Sequence, residues 1–269
     1  ATGKYLIPSD FFPQMPFWQN LPLEENFEFN QSNSRNVDDV PLENKIYVAG
    51  IYSDGDNLQY VANFMKSQLW DGRHGTVPTT YEMTPSIYNL APAMAMIYYK
   101  QMTSSDYFVN GVGGKGYVKS EYASKKFFDE FWIDTRDLMK DLDQREVRSW
   151  NSGDLTKVID LLTYPDGTRQ VDCFIEGYGG GEGFYPYMIE DVPFMKMRAY
   201  NARNSTEMED DKKLLFDLLK NKRSEPLFIT LHLICWNSPY DTWVEFVQSV
   251  EQESAGEIVF VNSGQMSQL

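Results

Sequence analysis

The stretch Ile46-Tyr47-Val48-Ala49-Gly50-Ile51-Tyr52 runs directly into Ser53-Asp54-Gly55-Asp56-Asn57 and then into Leu58–Leu69. The first segment is a continuous apolar run rich in β-branched and aromatic residues, the pattern of a strand buried on both faces. A glycine-centred acidic turn ends it. Leu58–Leu69 then spaces its apolar residues as a helix does. Strand, turn and helix in that order form half of a βαβ unit, and a strand that is apolar on both faces belongs to a parallel sheet covered by helices.

The same alternation continues along the chain. Further strand-like runs are Val77–Met83, Asp106–Asn110, Glu146–Trp150, Val171–Tyr178, Phe194–Tyr200, Leu227–Trp236 and Glu257–Asn262. Helical spacing follows most of them, over Ser86–Met102, Glu121–Leu142, Ser152–Leu162, Glu207–Asn221 and Tyr240–Gln252. The pattern predicts an α/β fold, a (β/α) barrel of eight strands. The segment Gly179–Val192 is glycine-rich and lacks helical spacing, so an incomplete or seven-stranded variant is the alternative. Pro92 is expected to reset the helix that contains it. Asn151 or Ser152 is expected to cap the short helix that follows.

Residues 1–44 read differently. Pro8, Pro13, Pro16, Pro22, Pro41 and the tract Asn30–Asn36 leave little periodicity, which predicts an irregular arm packed on the body through Phe11, Phe12, Phe17 and Trp18, or the remnant of a linker. Residues 45–269 are expected to form the barrel domain.

Composition narrows the partners. The net charge of −15 disfavours nucleic acid and anionic membrane surfaces, and no apolar run is long enough to span a bilayer. Aromatic residues make up 15% of the chain. Tyr and Trp in such number suit either a wet binding surface, where flat rings stack on sugars, or a tyrosine-rich core and rim. Cys173 and Cys235 lie in apolar runs and read as buried free thiols. The two histidines, His74 and His232, are far apart in sequence, and no metal-ligand spacing or cofactor fingerprint is present.

Sites in parallel α/β folds form where strands end at their C-termini, so the residues there carry the functional expectation. The first strand ends in Asp54, Asp56 and Asn57, more acceptors than a helix cap needs. They suit acid/base work, a grip on hydroxyls, or a cation. The second contains Glu82, a site carboxylate or a partner for the helix dipole. The third runs through Asn110 into a loop with Lys115 and Tyr117, in which Lys115 is expected to offset the acids at Asp54 and Asp56. The fourth ends in Trp150. The fifth ends in Glu176 and Tyr178, followed by Glu182 in a glycine-rich loop, a plausible acid/base arrangement. The seventh carries His232 and ends in Trp236.

Several of these segments, in order, resemble one family. They are Ser53–Tyr60, Trp70, Gly75-Thr76-Val77-Pro78, Leu90-Ala91-Pro92, Asp106-Tyr107-Phe108-Val109 and Gly114-Lys115-Gly116-Tyr117. Together they are similar to the GxGYxYP putative glycoside hydrolase family, over roughly residues 45–262. The chain departs from the motif after Tyr117-Val118, where Lys119-Ser120 replaces the family's closing Tyr-Pro. The resemblance implies a barrel-type fold, a carbohydrate ligand and an exported protein: secreted, periplasmic or at the cell surface. Three functions stay open on this reading. The first is glycoside hydrolysis by a carboxylate pair drawn from Asp54 or Asp56 and Glu176 or Glu182. The second is carbohydrate binding without catalysis. The third, a deacetylase-like hydrolysis, lacks the paired histidines its metal site needs.

Overall fold

A computed structural model of the chain describes residues 4–7, 9, 12–53, 57–70, 72–111, 113–150, 152–177, 185–198 and 205–269. The leading stretch forms strand β1 (Ile46–Ser53), buried at every position. Its side chains alternate between two cores. Ile46, Val48 and Tyr52 face the packed helices, while Tyr47, Ala49 and Ile51 face the interior of the sheet. Gly50 is where α8 (Tyr240–Glu253) lies closest, since a Cβ there would fall 2.3 Å from the Trp243 ring.

The strands that follow are β2 (Thr79–Met83), β3 (Asp106–Asn110), β4 (Glu146–Ser149) and β5 (Cys173–Glu176). Each pairs in parallel with its neighbour, β1 to β2 to β3 to β4 to β5. After β5 comes β6 (Tyr187–Ile189), an antiparallel edge strand on β7 (Val192–Met195). β7 pairs in parallel with β5, whereas β8 (Met197–Arg198), one residue further on, pairs with β9 (Leu227–Ile234). β9 runs beside β1 over its full length. The fold is α/β with a mostly parallel sheet.

The expected eighth run is β10 (Ile258–Phe260), and its role is local. It pairs with β1 at Ile46–Val48, on the edge that β2 uses higher up at Ile51 and Tyr52. Beyond it, α9 (Ser263–Met266) packs against β1 and β3 below the sheet interior.

The first helix begins as α2 (Asn57–Gln59) and continues as a π-helix over Tyr60–Leu69. Pro92 does reset its helix: α3 (Ile87–Leu90) ends at Ala91, and α4 (Pro92–Gln101) starts with the proline in its first turn, where no N–H is needed. α5 (Lys125–Asp141) is capped by Ser124 and buries Phe128, Phe131, Trp132, Thr135 and Met139 on one stripe. The cap of α6 (Leu155–Leu161) differs from expectation. Asp154 accepts from the N–H groups of Thr156 and Lys157, while the Ser152 hydroxyl is engaged with Ser149 and Asn151 lies outside the described residues. Gly153, at φ +80°, turns the chain so that the carboxylate arrives at the helix start instead. α7 (Ser205–Leu219) completes the outer helices.

The arm of residues 1–44 is more ordered than its composition suggests. It carries α1 (Met15–Asn20), and the Gln31 side chain bonds both ways to the backbone of Phe108 as a neighbouring strand would. Arg35 grips Asp143 through both carboxylate oxygens. Phe12 and Trp18 pack on the body as expected, Phe17 is exposed, and Phe11 lies outside the described residues. Cys173 and Cys235 are buried and unbridged.

Candidate functional site

Alternation decides which side chains meet inside the sheet. On β2, Tyr81 and Met83 face the helices, so Thr80 and Glu82 face inward. On β4, Val147 packs on α5 and α6, so Glu146 and Arg148 face inward. On β9, Leu231 and Leu233 face outward, leaving Thr230 and His232 inside. Register then sets height. His232 lies beside Ile51 and Ser53 beside Ile234, while Glu82 and Arg148 are each one residue from the C-terminal end of their strands.

The result is a polar cluster near the C-terminal strand ends. Glu82 and Arg148 have no solvent exposure and form an ion pair at 2.5 Å. The other guanidinium arm reaches the Met197 sulfur at 3.3 Å. His232 is 6% exposed, and its imidazole is pushed down to about 3 by burial and then by the Arg148 charge, against a hydrogen bond with the Ser53 backbone. It is therefore neutral at physiological pH. It serves as a hydrogen-bonding group and not as a cation.

Two aromatic side chains stand over the same end. Trp150, just past β4, is 36% exposed and meets the Tyr117 ring edge-to-face at 5.0 Å. Trp236, just past β9, is 40% exposed and meets Phe64 of the π-helix in the same way at 5.1 Å.

Other expected site residues fall elsewhere. Glu176 shares the outward face of Phe174, where it pairs with Lys196 at 2.6 Å and accepts from the Met197 N–H at 3.2 Å. Lys196 sits at the step between β7 and β8, so this pair braces the place where the sheet changes partner. Asn110 shares the face of Phe108 and is fully buried, with no partner for either amide atom. Lys115 does not turn toward the first strand end. Gly113 and Gly114, at φ +81° and +99°, swing the loop against α5, where Lys115 pairs with Asp134 at 2.5 Å and lies over the Tyr5 ring. A Cβ on Gly114 would sit 2.9 Å from the Phe131 ring. Gly114→Ala is expected to cost roughly 1–3 kcal/mol, combining a strained positive φ with overpacking, as measured by urea unfolding. Asp54, Asp56, Tyr178 and Glu182 lie outside the described residues, and Asn57 opens α2.

Arg148 was not among the residues expected from sequence. A signal existed: Glu146 and Arg148 alternate with an apolar residue in a short strand, which places two ionisable groups on one face. Among the described residues no group of three or more His, Cys, Asp and Glu is placed to hold a metal ion, and no helix is long and apolar enough to cross a membrane.

The model of the GxGYxYP putative glycoside hydrolase C-terminal domain matches residues 44–267. The chain belongs to this family. Among solved structures, this GxGYxYP domain is similar to a putative hydrolase from Bacteroides thetaiotaomicron, with a TM-score of 0.74 at 19% identity. That match covers 99% of this chain and 52% of the other, so the chain spans about half the length of that protein. A probable polysaccharide deacetylase from Pseudomonas aeruginosa aligns over 83% of this chain and 90% of its own, with a TM-score of 0.57 at 9% identity. Puue allantoinase aligns over 91% and 97%, with a TM-score of 0.59 at 9% identity. At these identities the likeness is one of fold. No curated protein sequence matches significantly.

Proposed function

We propose that this chain is a glycoside hydrolase acting on a poly- or oligosaccharide at the C-terminal mouth of a closed seven-stranded barrel. Closure is our reading of the pairings of β7 with β5 and of β8 with β9. The observation that carries the function is the cluster of Glu82, Arg148 and neutral His232 toward the C-terminal ends of β2, β4 and β9. The Ser53 end of β1 leads into Asp54 and Asp56. Family name and fold neighbours both point to a hydrolase.

Glycoside hydrolysis needs a proton donor at the leaving oxygen and a carboxylate acting as base or nucleophile on the other side of the anomeric carbon. We assign these to Asp54 or Asp56 after the first strand and to Glu182 after the fifth, since Glu176 is turned to the outer face and held by Lys196. The ion pair of Glu82 and Arg148 is a rigid floor, and His232 offers a neutral hydrogen bond to a sugar hydroxyl. Trp150 and Trp236 supply stacking faces. An exported setting accords with the family resemblance.

The fold neighbours include a deacetylase, but a metal site built on paired imidazoles does not suit this chain. It has two histidines, and His74 bonds to Asp106 at the N-terminal start of β3, opposite the end that His232 approaches.

The test is release of reducing ends from a panel of neutral polysaccharides. Asp54→Asn and Asp56→Asn are made separately, and at least one is expected to lower turnover by roughly 10²–10⁴-fold with little change in melting temperature. Wild-type turnover in both variants would remove the first strand end from the chemistry and with it this assignment.

A further inference from the structure

Trp150 and Trp236 occupy opposite sides of one mouth. Around the circuit of pairings, β4 and β9 are separated by β5 and the β7–β8 strand on one side, and by β3, β2 and β1 on the other. Trp150 follows the C-terminal end of β4 by one residue and Trp236 that of β9 by two, so both stand at the same end of the parallel strands. Each keeps more than a third of its surface in solvent. An edge-to-face contact from a neighbouring segment steadies each, Tyr117 for Trp150 and Phe64 for Trp236. Exposed and held in place, such rings act as prepared contact surfaces that lose little side-chain entropy on binding. Between them lies the floor of Glu82, Arg148 and His232, whose charges cancel within the ion pair.

We infer that the two tryptophans are the end contacts of one extended subsite track, which takes a neutral glycan chain across the mouth. This rests on the carbohydrate reading above and adds to it the length and charge class of the ligand. A seven-stranded circuit with strands about 4.8 Å apart is wider than a disaccharide is long, so a short sugar reaches one tryptophan and a longer chain reaches both. The charge of −15 disfavours an anionic glycan. Among the described residues, the cation of the floor, Arg148, is paired with Glu82.

The test is a binding measurement with the Asp54→Asn, Asp56→Asn double variant, so that ligand is not consumed whichever of the two is catalytic. The probes are oligosaccharide ladders, from disaccharide to hexasaccharide, of β-glucan, xylan, mannan and α-glucan, followed by calorimetry. The expected result is that affinity for one neutral series rises with chain length. Trp150→Ala and Trp236→Ala should each weaken its hexasaccharide about tenfold, and its disaccharide should respond to at most one of them. Trp→Phe at either position should restore part of the loss, which separates a stacking role from a folding defect. The inference is overturned if the hexasaccharide responds to only one tryptophan or to neither, if the disaccharide responds to both, or if no neutral series binds. Length-dependent binding through both rings, with no turnover by the wild type, would overturn the hydrolase reading and leave the track standing.

Discussion

Arg148→Met is expected to lower the unfolding free energy by about 3–5 kcal/mol, the usual cost of removing one member of a buried ion pair. Both members are without solvent exposure. The guanidinium is the ion partner of Glu82, and its loss leaves a carboxylate in an interior that water does not reach. The sign reverses when both charges go. Glu82→Leu combined with Arg148→Met should recover most of the stability, because the pair's mutual attraction only offsets the cost of desolvating two ions. A double-mutant cycle by urea unfolding measures this. If the single variants cost little and the double variant costs their sum, the pair is not coupled as described. The double variant should also lose activity despite its recovered fold, because the floor of the site then keeps only His232 of its three polar side chains.

The second large effect is on pH dependence. Glu146 lies on the inner face of β4 toward its N-terminal end, wholly buried, and accepts hydrogen bonds from the hydroxyls of Tyr107 and Ser267. Burial pushes its carboxyl up to about 7, against those two hydrogen bonds. In the unfolded chain the same group ionises near 4.5. Between these values the native state holds a proton that the unfolded state has released, so stability falls as pH rises through that window. Above pH 7 the penalty is complete, at about 3 kcal/mol from the pKa difference alone. Glu146→Gln stays neutral and should flatten the profile, being more stable than the wild type at pH 8 and close to it at pH 4.5. Unfolding free energies at half-unit pH steps decide the matter. A wild-type profile that rises between pH 4.5 and 7, or one that Glu146→Gln leaves unaltered, contradicts it.

The architecture was legible because strand burial writes a strong signal. β1, β2 and β3 are buried at every position and β9 at all but two, and every expected run contains a strand. Pro92 announced its own break. What periodicity could not convey was the partnering of strands. The run at Phe194–Tyr200 looked like one strand, yet it changes neighbour at Lys196, because β5 and β9 need different heights from it. Likewise Glu257–Asn262 looked like a full barrel strand and is a short insert at the foot of β1.

The site was legible in part. Glu82, His232, Trp150 and Trp236 were visible as strand-end residues, and the structure gathers them at one end. Glu176 was equally visible, but its parity puts it on the outer face with Lys196, and parity cannot be read until a neighbouring residue is known to face inward. Arg148 was hidden because a lone arginine in a short strand has no motif. Lys115 was misdirected because two positive-φ glycines precede it and turn the loop toward Asp134.

The central claim is that this chain cleaves a glycosidic bond at the C-terminal mouth. The most direct measurement is hydrolysis of partly acetylated neutral polysaccharides in ¹⁸O-labelled water, with mass analysis of the products. Attack by water at the anomeric carbon breaks its bond to the leaving oxygen and places the label on the new reducing end. Deacetylation would instead break the ester and place the label in acetate. The account predicts label at reducing ends, lost in Asp54→Asn or Asp56→Asn. Label found only in acetate, or in no product of any glycan the protein binds, would contradict it.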